Sequence, residues 1–322
     1  NTDHDQDIVL GDNGYADFDF GTSNGVHYEI IREIASTDFD IGNDDVISTG
    51  NGSDIVIGGT AADIIDSGTA ATDDNNRDIV IGDSGKAIFD ALGRLDTIES
   101  LAFDIGGNDA ITTGGGGDIV IGGDAVDNID TTGKLGQADR DIILGDNGIA
   151  DFDSDTGVLR SIRTLADHIG DTDTIHAAYD FDIIFGGQAG DVIWAFHEND
   201  DDDYRDIVLG DSGEAVFDEN EILQSVTTSS PTQGGDDDIL VGDGPDIVVG
   251  GYGSDFINVD RTYNSVLSED DGRDVIIGDS GRVTFHDASL NVKHIQTQAP
   301  EIGDMDRIYT DNGSDIILAG QA

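Results

Sequence analysis

The stretch DVISTGNGSDIVIGGTAAD, residues 45–63, contains three aspartates nine residues apart, with glycine-rich turns between short β-branched segments. Nine residues make up one short strand and one tight turn, which predicts that the chain winds into parallel rungs. Equivalent aspartates on successive rungs then stack into files. The same step relates further aspartates, and the residues in these series are Asp45, Asp54 and Asp63; Asp109, Asp118 and Asp127; Asp173, Asp182 and Asp191; Asp237, Asp246 and Asp255; Asp306 and Asp315.

A longer repeat contains the nine-residue one. The block D-[IV]-[IV]-[LI]-G-D-[NS]-G begins at Asp7, Asp78, Asp141, Asp206 and Asp274, so the units are about 65 residues long. Repeat arrays grow by adding units. We therefore expect residues 1–322 to form one continuous array, as part of a longer protein, and not two domains.

Two kinds of strand alternate along the chain. One kind has an isoleucine between polar or mixed neighbours, as in Val46-Ile47-Ser48, and is typical of a sheet with one face in water. The other has three apolar residues, as in Ile55-Val56-Ile57, which indicates a sheet covered on both faces. The alternation predicts a coil of two strands per turn. Since connections between parallel strands are right-handed, we expect a right-handed parallel β-roll or β-helix.

An insert follows each GD[NS]G block. Segments such as 87–90 and 94–100, or 150–153 and 159–163, are predicted to form β-hairpins that cover the fully apolar sheet. Two alternatives stay open at this point. The inserts are further rungs without aspartate, or the apolar face is a surface for self-association.

The composition limits the class of function. Among 322 residues, 69 are acidic and 14 are basic, and the net charge is −55. This charge excludes nucleic acid and disfavours an anionic membrane surface as partners. There is no cysteine, which excludes disulfides and cysteine-based zinc sites. No apolar run is long enough to predict a membrane span.

Stacked carboxylates require a counter-cation. At a strand spacing of about 4.8 Å, two carboxylates repel by about 1 kcal/mol in water and about 3–4 kcal/mol at an effective dielectric constant of 20. Oxygen ligands on flexible glycine turns favour calcium over magnesium and over metals that prefer nitrogen or sulfur. The candidate ligands are Asp7, Asp45, Asp54, Asp63, Asp78, Asp109, Asp118, Asp127, Asp141, Asp173, Asp182, Asp191, Asp206, Asp237, Asp246, Asp255, Asp274, Asp306 and Asp315.

The second aspartate of each GD[NS]G block has two interpretations. It is either an additional calcium ligand or a turn-capping residue. The five residues are Asp12, Asp83, Asp146, Asp211 and Asp279. Acidic pairs in loops, such as Asp73 and Asp74, Asp200–Asp203, and Asp270 and Asp271, are weaker candidates because charge runs are usually only solvated.

The repeat resembles the repeats-in-toxin (RTX) nonapeptide, G-G-x-G-x-D-x-[apolar]-x, in segments 114–121, 186–193 and 250–257. The resemblance covers somewhat over half of the chain. It implies a parallel β-roll with calcium between successive turns, in a protein secreted by Gram-negative bacteria. It also implies that Asp54, Asp118, Asp182 and Asp246 are calcium ligands. The chain departs from the family where turns such as 60–62 and 124–126 lack the full glycine set and where inserts interrupt the repeats.

Other functions receive less support from the sequence. Every rung carries the same aspartate, so no carboxylate pair is singled out for catalysis, and we do not expect an enzyme. Trp194 could contact a glycan or a protein partner, in which case the segment would be a recognition module that uses this residue or the hairpin tips. A calcium-binding β-propeller is the alternative fold, although propeller strands do not require a nine-residue step.

The sequence therefore predicts a calcium-binding structural segment of a large bacterial protein that is secreted or attached to the cell surface, such as an adhesin, a toxin or an S-layer-like protein. Its expected partners are calcium ions and neighbouring repeats. In this hypothesis the chain stays unfolded at the low calcium concentration of the cytoplasm and folds when it meets extracellular calcium.

Overall fold

The computed structural model describes residues 6–23, 26–68, 76–133, 140–177, 181–196, 204–258, 272–286, 291–310 and 312–321. Every regular element in these ranges is a β-strand, and the strands form three sheets. No helix long and apolar enough to cross a membrane occurs in the same ranges. The all-β class and the long parallel sheets confirm the predicted parallel roll.

The first sheet, called the triplet sheet, contains the fully apolar strands. Neighbouring strands pair in parallel and in register, so that Val56 lies beside Val80 and Val120 beside Ile143. In spatial order the strands are β1 (Ile8–Leu10), β5 (Ile55–Ile57), β7 (Ile79–Ile81), β11 (Ile119–Gly123), β13 (Ile142–Asp146), β17 (Ile183–Gly187), β19 (Ile207–Asp211), β23 (Ile247–Gly251), β25 (Val275–Asp279) and β29 (Ile316–Leu318).

The second sheet, called the outer sheet, contains the strands with a single buried isoleucine. It is also parallel, and Ile47, Ile65 and Ile111 follow one another in register. In spatial order its strands are β4 (Val46–Ser48), β6 (Ile64–Asp66), β10 (Ala110–Thr112), β12 (Asn128–Asp130), β16 (Thr174–Ala177), β18 (Val192–Ala195), β22 (Asp238–Val241), β24 (Phe256–Ile257) and β28 (Arg307–Ile308).

The third sheet, called the hairpin sheet, is antiparallel and consists of the inserts. The prediction of hairpins is confirmed, and the alternative of further rungs is wrong because these strands pair only with one another. The first hairpin, which the sequence reasoning did not single out, is longer than the others. The strands are β2 (Gly14–Ser23), β3 (Val26–Ser36), β8 (Gly85–Phe89), β9 (Leu95–Ser100), β14 (Gly148–Phe152), β15 (Leu159–Thr164), β20 (Gly213–Phe217), β21 (Leu223–Thr228), β26 (Gly281–Phe285) and β27 (Val292–Thr297).

The triplet sheet lies between the other two sheets and has a core on each face. The middle residue of each triplet, such as Val80, packs in the core shared with the outer sheet. The first and third residues, such as Ile79 and Ile81, pack in the core shared with Ala87 and Phe89 of the hairpin sheet. This explains why all three residues are apolar. It also shows that the outward face of the triplet sheet is covered and is not a surface for self-association.

Several turns place alanine in a left-handed backbone conformation. Ala61 has φ of 81° and Ala125 has φ of 79°, at the turn position where the repeat in segment 250–257 has Gly253, with φ of 134°. A side chain makes this conformation unfavourable by about 1–2 kcal/mol. These alanine turns therefore fold against a local strain.

Replacing Ala61 with glycine tests that strain. We expect Ala61→Gly to raise the free energy of unfolding by about 0.5–1 kcal/mol, because the left-handed penalty is lost while glycine adds freedom to the unfolded chain. Urea unfolding followed by circular dichroism, under conditions in which the chain is folded, measures the change.

Ala62 provides the matched control in the same turn. It is exposed, and its φ is not positive. Ala62→Gly should lower the free energy of unfolding by up to about 1 kcal/mol. If both variants were destabilised equally, the turn at Ala61 would not be strained.

Candidate functional site

The predicted aspartates lie at two opposite edges of the coil. The first edge is where the strands of the triplet sheet begin, and its file consists of Asp7, Asp54, Asp78, Asp118, Asp141, Asp182, Asp206, Asp246, Asp274 and Asp315. The second edge is where the strands of the outer sheet begin, and its file consists of Asp45, Asp63, Asp109, Asp127, Asp173, Asp191, Asp237, Asp255 and Asp306. The structure thus places the aspartates of each file on successive rungs, one beside the next.

After the first member of each file, Asp7 or Asp45, one carboxylate oxygen of every aspartate belongs to a hydrogen-bond ladder. The backbone N–H of Asp54 donates to Oδ1 of Asp78 at 2.8 Å, and the N–H of Asp63 donates to Oδ1 of Asp109 at 2.8 Å. The pattern continues along both files, with donor–acceptor distances of 2.7–3.2 Å. Each aspartate therefore ties its own rung to the preceding one. This accounts for an aspartate, with its short side chain and two acceptors, on every rung.

The other carboxylate oxygen is buried and receives no hydrogen bond at several rungs. On the second edge this holds for Oδ2 of Asp63, Asp109, Asp127, Asp173, Asp191 and Asp306, and on the first edge it holds for Oδ2 of Asp54 and Asp118. Burying a carboxylate oxygen without a partner is costly, and buried polar groups normally have one. These oxygens are the strongest indication of a ligand in the described residues.

The orphaned oxygens of the second edge lie in cradles formed by glycine. A Cβ atom added to Gly82 would lie 2.3 Å from Oδ2 of Asp109 and 2.5 Å from the carbonyl oxygen of Gly122. Gly122 has the same relation to Asp127 and to the carbonyl oxygen of Gly145, at 2.5 and 2.0 Å. Any side chain at these glycines would fill the cradle. Each cradle therefore presents a carboxylate oxygen and a backbone carbonyl oxygen, which are ligands that suit a hard cation.

Burial makes the charged form of these carboxyls unfavourable. It raises the pKa of Asp63 to about 7, that of Asp109 to about 8 and that of Asp306 to about 6, although a backbone N–H donated to each carboxylate opposes the shift. Burial, followed by repulsion from Asp237, also raises the pKa of Asp191. Protons or cations must therefore offset the charge of this file at neutral pH.

The second aspartate of the GD[NS]G block acts as a turn cap. Oδ1 of Asp83 accepts the N–H of Gly107 at 2.9 Å, and Oδ2 accepts the N–H of Asp124 at 2.5 Å. Equivalent bonds run to Asp12 from Asn43 and Thr60, to Asp146 from Gln188, to Asp211 from Gly235 and Tyr252, and to Asp279 from Gln321. Each cap joins the end of a hairpin insert, or the next short turn, to the block. A role in metal binding for these five residues stays a prediction.

Within the ranges that the structure describes, no group of three or more histidine, aspartate or glutamate side chains converges in a way that could hold a metal ion. An ion at either edge would therefore need backbone carbonyl oxygens as well as carboxylates. The acidic loops at 73–74, 200–203 and 270–271 lie outside the described residues.

Trp194 lies in a column of stacked side chains on the outer sheet. Its ring stacks on His176 with centroids 4.3 Å apart and an angle of 13° between the planes. Leu240 occupies the register position on its other side and is buried. This arrangement supports a packing role, and Trp194 remains 40% exposed.

Sequence reasoning missed a column of arginines beside the first edge. Arg77, Arg140, Arg205 and Arg273 each stand immediately before the first aspartate of a block. The regular position was visible in the sequence. Its meaning depends on contacts with the next rung, which only the fold supplies.

Comparison with protein families, with curated proteins and with solved structures finds no match for this chain.

The raised pKa values predict how the metal-free chain depends on pH. A carboxyl with a higher pKa in the folded chain than in the unfolded chain stabilises the fold fully below pH about 4, and this contribution is lost as the pH rises through the folded value. In a chelating buffer we expect the folded fraction to decrease as the pH rises from about 4 to about 8. Circular dichroism at constant ionic strength measures this dependence.

A folded fraction that stays constant or increases over this range in chelator would contradict the prediction. Asp109→Asn should flatten the dependence because it removes a carboxyl whose pKa is raised to about 8. Asp153→Asn is the control and should leave the dependence unchanged, because a hydrogen bond from Arg160 lowers the pKa of Asp153 to about 2.

Proposed function

We propose that the chain is a calcium-dependent structural segment whose folding is coupled to ion binding along its edges. The observation that carries the proposal is the row of buried, unpartnered carboxylate oxygens in glycine cradles on the second edge. A cation in a cradle would give such an oxygen its missing partner and would offset the charge of the file. The residues that would hold ions there are Asp63, Asp109, Asp127, Asp173, Asp191 and Asp306, with the carbonyl oxygens of neighbouring glycines and, beside Asp306, of Ala319.

The chemistry of the cradles favours calcium among the common cations. The cradle ligands are oxygens, and the glycine turns that form them accept irregular geometry. Calcium takes six to eight oxygens at flexible distances, whereas magnesium requires a regular octahedron and keeps its waters. Water molecules would complete the coordination, since each cradle offers only a few protein oxygens.

The net charge gives a physical reason for folding to depend on calcium binding. With −55 on 322 residues, the metal-free chain repels itself, and each additional rung brings another carboxylate close to its file. The repulsion of about 3–4 kcal/mol per neighbouring pair, summed over a file, exceeds a typical domain stability of about 5–15 kcal/mol. Binding that requires the folded edges adds its free energy to that of folding.

The setting we propose is extracellular. Calcium is present there at concentrations that fill sites of modest affinity, while the cytoplasm keeps calcium low. A segment of this kind would be exported unfolded and would become a stiff repeat array outside the cell, as part of a large secreted or surface-attached bacterial protein related to the RTX repeats.

A calcium titration tests the proposed coupling directly. At pH 7.5 in chelator we expect a weak strand signal by circular dichroism and an expanded chain by size-exclusion chromatography, because the files are not neutralised. Millimolar calcium should produce the strand signal and a compact chain in one cooperative transition, and magnesium at the same concentration should not. The same strand signal and compactness in chelator and in calcium would refute the proposal.

Asp109→Asn should have opposite effects in the two solutions. Asparagine keeps the acceptor for the N–H of Asp63 and removes the buried charge. The variant should therefore be more folded than the unchanged chain in chelator. In calcium it should lose the contribution of one ion, about 3 kcal/mol at a hundredfold excess over Kd. Urea unfolding in both solutions measures the two effects.

Asp83→Asn is the matched control for this experiment. Both oxygens of Asp83 accept backbone N–H groups, so an amide nitrogen there faces a donor instead of an acceptor. This variant should be destabilised by about 1–3 kcal/mol in both solutions. If Asp109→Asn also had the same sign in both, Asp109 would have no role in calcium binding.

A further inference from the structure

The residue before each aspartate of the first edge alternates between arginine and an uncharged residue from Asp78 onward. In rung order these residues are Arg77, Gly117, Arg140, Phe181, Arg205, Pro245, Arg273 and Ser314. Neighbouring rungs are separated by one strand spacing, so the arginines recur about every 10 Å along the edge. We call the four arginines the arginine column.

Members of the column reach across to the next rung. Nε of Arg77 donates to the carbonyl oxygen of Gly117 at 2.7 Å, and Nε of Arg205 donates to that of Pro245 at 2.7 Å. Nε of Arg273 makes the same bond to Ser314 at 3.3 Å. In each case the accepting carbonyl belongs to the residue immediately before an aspartate of the file. The guanidinium group thus lies beside the file and occupies a backbone carbonyl oxygen there.

The groups around the arginine column are acidic or aromatic, and such groups favour a charged guanidinium. Burial lowers the pKa of Arg205, while attraction to Asp246 on the next rung opposes the shift. Arg140 pairs with Glu221 at the tip of a hairpin and lies over the ring of Phe217, 5.4 Å from its centroid. Arg77 also approaches Glu221, at 3.6 Å. An arginine remains charged in such places because its pKa is very high.

The second edge has no counterpart of this column. The residues before its aspartates are Asp44, Ala62, Asn108, Val126, Thr172, Gly190, Asp236, Ser254 and Met305, and none of them is basic. The turns of this edge, such as 58–63, 101–109 and 229–237, contain no lysine or arginine. The two files therefore carry similar numbers of aspartates but differ in fixed positive charge.

We propose that the arginine column is a built-in counter-cation that replaces metal ions along the first edge from Asp78 to Asp315, so that calcium loads mainly on the second edge. The inference rests on the proposed calcium binding. In this proposal the two edges of the roll differ in how their negative charge is compensated. One edge carries one fixed positive charge for every two of its aspartates at any calcium concentration, whereas the charge balance of the other edge depends on the solution.

The number of calcium ions bound per folded chain tests the inference. The triple variant Arg77→Gln, Arg205→Gln, Arg273→Gln removes the fixed charge but spares Arg140, which also anchors a hairpin. We expect it to bind about three more calcium ions at saturation than the unchanged chain, because carbonyl and carboxylate oxygens at the first edge become available. Equilibrium dialysis followed by elemental analysis gives the count, and circular dichroism shows that the chain is folded.

Two further variants separate this role from a structural one. The triple variant Lys86→Gln, Arg163→Gln, Arg282→Gln removes the same charge from the hairpin sheet and should leave the count unchanged. Arg77→Lys, Arg205→Lys, Arg273→Lys keeps the charge at the first edge and should also leave it unchanged. If the glutamine triple does not fold, the single variant Arg205→Gln, with about one additional ion expected, gives the answer.

An unchanged count in the folded glutamine variants would overturn the inference, whatever their stability, because a purely structural arginine affects stability and not the number of ions. An equal rise in the hairpin-sheet control would overturn it as well. Failure of the proposed function would look different, since the unchanged chain would then bind no calcium or would fold equally in chelator.

Discussion

The structure depends on the different roles of the two oxygens in each file carboxylate. From the second rung of each file onward, Oδ1 of the aspartate accepts the N–H of the aspartate on the preceding rung, and this bond joins the two rungs where their parallel strands begin. The same geometry buries Oδ2 at the edge of the coil, where on several rungs it receives no hydrogen bond. The aspartate side chains that join the rungs therefore also bury negative charge. Other groups at the edges must offset that charge.

The remaining architecture can be understood as a response to this stacking. Parallel rungs leave the triplet sheet apolar on both faces, and the hairpin inserts cover the face that the outer sheet does not reach. The apolar core holds the inserts on the triplet sheet, and the GD[NS]G aspartates also bond the returning chain, as Asp83 does with Gly107. The first glycine after a triplet strand, such as Gly122, leaves room for Oδ2 of the second file, and the next glycine, such as Gly123, adopts the positive φ of the turn.

Much of the fold could be predicted from local periodicity, because the nine-residue step and the two kinds of strand are encoded within each rung. The hairpins were predictable from their turn residues, and their position over the triplet sheet followed from the need to cover Ile79 and Ile81. Local sequence patterns could not predict contacts between residues that are far apart in the chain. Asp83 caps a turn only because an insert of some twenty residues returns Gly107 to it, and Arg77 acts on an oxygen forty residues away. The chemistry of the cradles could not be predicted from any single residue either, because each cradle combines oxygens of different rungs.

The order of strands within the sheets has a mechanical consequence. In both parallel sheets the rungs are stacked in the order of the sequence, so β1 and β29 lie at opposite ends of the stack, and the hydrogen bonds between rungs run along its long axis. A force that pulls the two chain ends apart would load one terminal rung at a time and peel it away, instead of shearing all rungs together. Resistance to such a force would be set by the weakest rung at either end and by whatever charge compensation holds that rung, so the segment would extend in steps and act as a tether that yields gradually.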